Sequence, residues 1–440
     1  MSERSRPGRP ARPGAALVAS GLITVPGILI RLMGIHPIHW VAALFFGLAI
    51  VGAAFLLGWG AEVVQLDISA GLALAVLALI AVLPEYAVDF VFTSKAGTHP
   101  KEFAPLALAN MTGANQLLIG VGWSLVVLLA AYRVGRIGAG RRESAVAAPA
   151  VEPVANSAPT EVRLGRTHSV EVAFLFAATI YGLTLPLRHT ISLFDAVVLV
   201  SIFIAYLVRI ARAPAETPSL VGTALLIGTL SPRRRRIAVG ALFVGAATII
   251  LLCAEPFAES LVATGEEFGV STFLLVKWLA PLASEAPELL IAGTFAWRLN
   301  TDAGLGALVS SKVNQWTLLV GTLPIVFAIS SGSHHGLPLD ALQRQELFVT
   351  AAQSAFAVAI LASRSISVRE ARMLLGLFVA QFVASGALPG PMRGPALIIS
   401  GIVYLLLAVA QIVRERRQMA TLLHDGFVTP YTELVESDAP

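Results

Sequence analysis

Two dipeptides, Pro84-Glu85 and Pro287-Glu288, stand inside long apolar runs, where a carboxylate is costly. Proline lacks an N–H, and its ring displaces the carbonyl four residues earlier. As helix-breaking residues, Pro84 frees the carbonyl of Ile80 and Pro287 that of Ala283. A carbonyl freed in lipid needs a cation, a water or a neighbouring hydroxyl as partner. The adjacent Glu puts negative charge at the same depth. Carbonyls and carboxylates are hard oxygen donors, suited to calcium, sodium or protons rather than to soft metals. Either dipeptide alone also fits a kinked structural helix with a neutral Glu.

The two dipeptides belong to similar segments, residues 58–90 and 258–291. Each runs from an acidic turn through a short polar stretch and a long apolar run to Pro-Glu. Each is followed by a small-residue helix rich in amides or hydroxyls, at 106–122 and 304–321. These neighbours supply the other candidate ion-binding residues: Asp89, one turn after Glu85, then Asn110, Asn115, Ser284, Glu285, Ser310 and Ser311. Lys312, in the second small-residue helix, is a candidate charge partner for Glu288, Glu285 or Asp89, because a buried ammonium must be paired or neutral.

The elements that position these residues are membrane spans. The chain of 440 residues is 56% hydrophobic and 13% charged, whereas a soluble globular chain carries about 25% charged residues. A single cysteine, Cys253, excludes a disulfide framework and a cysteine-based zinc site. No cleaved signal peptide is evident, since the first apolar run is long enough to span. Apolar runs at 15–33, 40–58, 69–93, 103–131, 170–187, 191–208, 237–257, 270–297, 304–330, 346–363, 371–388 and 394–413 predict about twelve transmembrane helices. The overlong ones imply tilt or breaks. The run 219–230 is too short to span and reads as interfacial.

Arginine sets the orientation. Residues 1–14 form a basic tail, 133–168 an Arg-bearing loop expected to be disordered, 209–236 a basic linker ending in Arg233, Arg234, Arg235 and Arg236, and 414–440 a second tail. With twelve spans all of these fall on the cytoplasmic side, as the positive-inside rule requires, and both termini are cytoplasmic. The arginine run is thus a topology signal, not a nucleic-acid patch. The second Pro-Glu span is the fifth after the first. An odd offset reverses the direction of crossing, so the repeats are inverted, the arrangement that puts a transporter site at the bilayer midplane.

Residues 60–130 and 258–325 resemble the two alpha-repeats of the sodium/calcium exchanger family, within the calcium/cation antiporter superfamily. The family pattern is roughly G-T-S-x-P-E, about twenty residues, then G-N-x-x-G-S-N. Here the matching positions are Ala81-Val82-Leu83-Pro84-Glu85 with Asn110 and Asn115, and Ser284-Glu285-Ala286-Pro287-Glu288 with Ala307 and Lys312. The resemblance implies ten core helices, five per repeat, at 40–208 and 237–388, plus one extra helix at each end (15–33 and 394–413). It implies that Glu85 and Glu288 coordinate calcium as the metal ligands. The family's sodium-binding hydroxyls are replaced by Ala81 and Val82 in the first repeat, and Glu285 replaces a serine in the second. Lys312 stands where the family has an Asn.

These readings converge on an all-α polytopic membrane protein that is a secondary transporter rather than an enzyme. It exchanges calcium for sodium or protons by alternating access, with the lipid bilayer and small inorganic cations as partners and no cofactor. A proton-coupled exchanger of sodium or another cation is the nearest alternative. A non-transporting membrane sensor or scaffold is the rival class, supported by Lys312 and the missing hydroxyls. No GxSxG, HExxH or aspartate-rich diphosphate motif supports an intramembrane enzyme. The Arg-over-Lys bias and the Ala/Gly content suggest a bacterial cytoplasmic membrane.

Overall fold

The computed structural model describes residues 13–67, 83–145, 161–213, 220, 222–269, 271–388 and 390–436. The first half holds α1 (Pro13–Met33), α2 (His39–Val64), α3 (Leu83–Thr98), α4 (Pro100–Leu117), α5 (Ser124–Ala145), α6 (Ser169–Gly182), α7 (Leu193–Ile210) and α8 (Gly222–Gly228). The second holds α9 (Pro232–Phe268), α10 (Thr272–Trp297), α11 (Thr301–Asn314), α12 (Val320–Ser331), α13 (Ala341–Ile360), α14 (Val368–Ala387) and α15 (Gly390–Arg414). Two short helices follow, α16 (Arg416–Phe427) and α17 (Tyr431–Glu436).

Every predicted apolar run falls mainly on helix; 69–82 and 270 lie outside the described residues, 183–184 form a turn and Ile191 lies in a short strand. Nine helices among the described residues are long and apolar enough to cross a membrane. Helix α10 carries Lys277, Glu285 and Glu288, α14 carries Arg369, Glu370 and Arg372, and the described part of α3 has 16 residues, so none of the three is among the nine. The outward faces are apolar: Val244, Leu251, Leu406 and Val413 are exposed, as helices solvated by lipid require. Helix α13 is the opposite case. Val349, Ala351, Ala352, Ala357, Val358 and Ala359 are wholly buried, making it the central post of the bundle.

Two long helical runs change gauge at a single turn. Helix α4 passes through a π segment, Leu118–Trp123, into α5, and α11 passes through another, Gln315–Leu319, into α12. Such π turns cluster at functional sites. The backbone of α10 stays helical through Pro287, so this proline does not break its helix. One missing i→i−4 bond bends a helix without ending it when packed neighbours support the adjacent turns. Pro84 lies in the first described turn of α3, and Ile80, Ala81 and Val82 lie outside the described residues.

Two small antiparallel sheets join distant loops. Strand β1 (Glu161–Arg163) pairs with β4 (Ser365–Ser367), and β2 (Thr190–Ile191) with β3 (Leu337–Pro338). A single shift in numbering turns the Val162–Ile366 pair into the Leu337–Ile191 pair. The same shift carries Ser192 to Ser367 and Asp195 to Glu370, which form capping boxes at the starts of α7 and α14. It also carries Glu171 to Glu346. A second shift carries Asn115 to Lys312 and Leu118 to Gln315, the first residues of the two π segments.

Two polar segments are more ordered than their composition predicts. The loop 133–168 is helical to Ala145 and resumes as β1, because Val162 buries its side chain when paired with Ile366; residues 146–160 lie outside the described residues. The tail after residue 414 folds as α16, which packs on α6. Residues 1–12 are likewise not described.

Beyond the end of α2, Asp67 accepts two hydrogen bonds from Arg235 (2.7 and 2.9 Å) and one from Arg236 (3.0 Å), tying α2 to the start of α9. The Arg235 hydrogen bond holds the Asp67 carboxyl down at about 2, outweighing the cost of covering it. A carboxyl lowered by folding stabilises the fold above its unfolded value, and that contribution is lost as pH falls through the folded value. Asp67→Asn is therefore expected to lower the thermal unfolding midpoint in detergent at neutral pH. The gap to wild type should narrow only as pH drops from about 4 toward 2.

Candidate ion site

Helix α3 places Glu85 and Asp89 one turn apart, on one face. Glu85 is 2% exposed and Asp89 is fully buried. Helix α10 supplies Glu285, buried, and Glu288, half-buried. The Glu285 carboxyl lies within side-chain contact of both Glu85 and Glu288. Glu85 is also within electrostatic reach of Asp89 and Glu288. The two Pro-Glu motifs are thus brought together, with Glu285 between them.

Amides line the same space. Asn110 Nδ2 donates to Asp89 Oδ1 at 2.8 Å, and Gln315 Nε2 donates to Glu285 Oε1 at 2.6 Å. Tyr86 OH reaches Asn314 Oδ1 at 3.4 Å. Several buried oxygens have no hydrogen-bond donor: both of Glu85, and one each of Asp89, Asn110, Glu285, Gln315 and Ser311. Unpartnered buried acceptors are costly in a low-dielectric interior, so this concentration of them describes a site built for something positive. Among the described residues, no three acidic, histidine or cysteine side chains form a ready metal cage; the carboxyls touch in pairs.

Lys312 is fully buried and has a different partner from those its charge suggests. Its Nζ donates to Asn115 Oδ1 (2.6 Å) and to the Asn115 carbonyl (3.3 Å), and lies 4.7 Å from the centroid of the Trp316 ring. Glu85 and Glu285 are within electrostatic reach, but neither is a direct ion-pair partner. The reason is geometric. On α11 the side chain projects toward α4, whose Asn115 arrives first, and Asn115 is held by its own bond to the Met111 carbonyl at 2.8 Å.

Other sequence-predicted residues sit at the margin. Ser284 Oγ bonds back to the Ala280 and Pro281 carbonyls of its own helix (3.4 and 3.2 Å). Ser310 contacts Tyr206. Tyr86 and Gln315 were not singled out by the sequence, whereas Asn314 was expected to hydrogen-bond between helices, as it does with Tyr86. Gln315 had a signal, since it closes the polar run Ser310-Ser311-Lys312 with Asn314.

The sequence profile described as sodium/calcium exchanger protein matches residues 38–211 and 238–386. The chain belongs to the sodium/calcium exchanger family. It is a multi-pass membrane protein from a family of secondary transporters. Among solved structures, it is similar to the crystal structure of an H+/Ca2+ exchanger, CAX: 38% identity, 97% of this chain and 99% of that one, TM-score 0.84. It shares its fold with the Ca2+/H+ antiporter protein YfkE: 15% identity, 89% of this chain and 100% of that one, TM-score 0.56. The sodium-calcium exchanger NCX_Mj is a third match: 15% identity, 79% of this chain and 98% of that one, TM-score 0.50. No curated protein sequence matches.

Removing the Asn115 side chain should expose how much the exchanger fold relies on the Lys312 contact. Asn115→Ala leaves a buried ammonium short of its best acceptor, a loss of about 1–3 kcal/mol. The expected outcome is a lower thermal midpoint in detergent, with the double variant Asn115→Ala/Lys312→Met recovering part of it.

Proposed function

We propose that this protein is a calcium–proton antiporter of the cell membrane that works by alternating access at a midplane site. The observation that carries the reading is the contact of Glu285 with Glu85 and Glu288 among unpartnered buried oxygens. Carboxylates this close repel one another, and either a divalent cation or protons can cancel that repulsion. Two mutually exclusive ways of neutralising one site amount to exchange. Glu85 and Glu288 act as the calcium ligands, and Asp89, Asn110, Glu285 and Ser311, each with an unpartnered oxygen, complete the set; Asn115, Ser284 and Ser310 are engaged elsewhere.

Protons are favoured over sodium as the coupling ion for two reasons. The similar H+/Ca2+ exchanger shares 38% identity over nearly the whole chain. Lys312 also sets its Nζ against both oxygens of Asn115, in the interior of the same bundle, which takes from a second bound monovalent ion the oxygens it would need.

The proposed architecture is twelve spans in two inverted five-helix repeats, 40–208 and 237–388, with one extra helix at each end and both termini in the cytoplasm. The exchange of paired strands under one shift in numbering, and the matched π segments under another, support it.

Calcium uptake by proteoliposomes holding a proton gradient tests the reading. Glu85→Gln and Glu288→Gln should each abolish uptake; full activity in either sinks the proposal. Lys312→Asn should let a sodium gradient drive calcium flux, and an unchanged coupling ion in a folded, active variant rejects the role given to Lys312.

A further inference from the structure

A second buried polar cluster lies outside the carboxyl site. Lys277 Nζ sits 2.5 Å from Glu346 Oε2, linking α10 to α13, with the lysine wholly buried and the glutamate 2% exposed. Gln116 of α4 donates to Thr350 Oγ1 at 2.6 Å and points its amide at Glu346 Oε2 at 3.4 Å. Gln381 of α14 donates to Gln116 Oε1 at 2.8 Å, and Gln353 Nε2 reaches the Gln116 carbonyl at 3.4 Å. Four helices therefore meet on one ion pair and one glutamine.

The pair marks the point where α4 crosses α10. A Cβ placed on Gly113 would lie 1.8 Å from the Lys277 carbonyl oxygen and 3.2 Å from Lys277 Cγ. No side chain fits there, so the two backbones touch. Asn110 and Asn115 flank Gly113 on α4. On α10, Glu288 lies eleven residues after Lys277, about three turns and roughly 16 Å along the same face. The crossing thus joins the helix that carries the amides to the helix that carries Glu285 and Glu288. Stability alone does not account for the ion pair, since an apolar pair of similar volume commonly serves as well.

We propose that Lys277 and Glu346 are positioning residues for the ion site. Their neutral, dry pair fixes the crossing of α4 over α10 and so sets the spacing between Asn110 with its partner Asp89 and the two glutamates of α10. This rests on the calcium-exchange reading above.

Full-length protein in proteoliposomes tests it, with Lys277→Met, Glu346→Gln and the double variant compared for calcium KM, turnover and proton-to-calcium ratio. Hydrogen–deuterium exchange is followed in detergent on the same preparations. Either single variant should raise calcium KM by roughly tenfold, with turnover within about twofold of wild type. The double variant, which restores neutrality but not the ion pair, should recover the thermal midpoint and turnover while keeping the raised KM. Amide exchange over 109–117 and 277–288 should be faster in the singles. Unchanged KM in both singles overturns the proposal. So does a fall in thermal midpoint and turnover with no recovery in the double, which would make the pair structural only. An altered proton-to-calcium ratio at unchanged KM also overturns it, making Glu346 a proton carrier. Wild-type protein without calcium uptake sinks the calcium reading and this role with it, whereas active wild type with unperturbed amide exchange in the singles sinks the positioning role alone.

Discussion

Four carboxyl groups, Glu85, Asp89, Glu285 and Glu288, share one region inside a helical bundle solvated by lipid, and their mutual repulsion constrains everything around them. Two unit charges 4 Å apart repel by about 4 kcal/mol at an effective dielectric of 20. A folded protein is typically stable by only about 5–15 kcal/mol. Two such repulsions, left uncancelled, would therefore consume much of that margin. The fold needs positive charge at this place, and the helices that carry the carboxyls must be held from elsewhere.

The holding elements stand away from the carboxyls. The packed post of α13, the two strand pairs and the capping boxes of α7 and α14 fix the frame. The C-terminal segment closes one end of it. Asp425 on α16 receives Arg166 through two hydrogen bonds (2.8 and 2.7 Å) and Arg364 at 3.3 Å. Burial works against the Asp425 charge, but these arginines, with Thr429, hold its carboxyl below the usual carboxylate range. Arg209 donates to the carbonyls of Gly426, Asp425 and Thr429. Gly426 is needed at this seam, since a Cβ there would lie 2.3 Å from Ala173 Cβ. Residues from both halves of the chain thus clamp one short helix.

How much of this was legible in the sequence follows from what lipid does to sequence patterns. Helices were readable because a span must satisfy its backbone internally and be apolar for about 20 residues. Glu85 and Glu288 were readable because charge in such a run stands out. The contacts between them were not. A helix that is apolar all round carries little amphipathic signal to say which face turns inward. Hence the placement of Glu285 between Glu85 and Glu288, the choice of Asn115 by Lys312, and the pairing of Lys277 with Glu346 depended on helix rotation and crossing, which no local spacing encodes. Glu346 was hidden further by lying where an apolar run begins, so it read as a boundary. The ordered C-terminal helix was hidden for the opposite reason: its residues are polar, and only Asp425 and Gly426 meeting Arg166, Arg209 and Ala173 give it a place to bind.

The contact between Lys312 and Asn115 carries one further consequence for the proposed inverted repeat. The two residues are related by the same shift in numbering that relates the π segments, yet they touch each other. Residues exchanged by a two-fold axis meet only beside that axis, so this pair stands at the centre of the bundle. Two lysines there would set ammonium against ammonium in a dry interior, a repulsion of the same size as that between the carboxyls. Two asparagines would bond well but add no charge. One lysine and one asparagine satisfy donor and acceptor, since Lys312 Nζ takes both the side-chain and the backbone oxygen of Asn115. Those oxygens are then no longer open to a cation. Under the proposed exchange this favours one divalent ion over several monovalent ones, because each added monovalent ion needs its own set of oxygens.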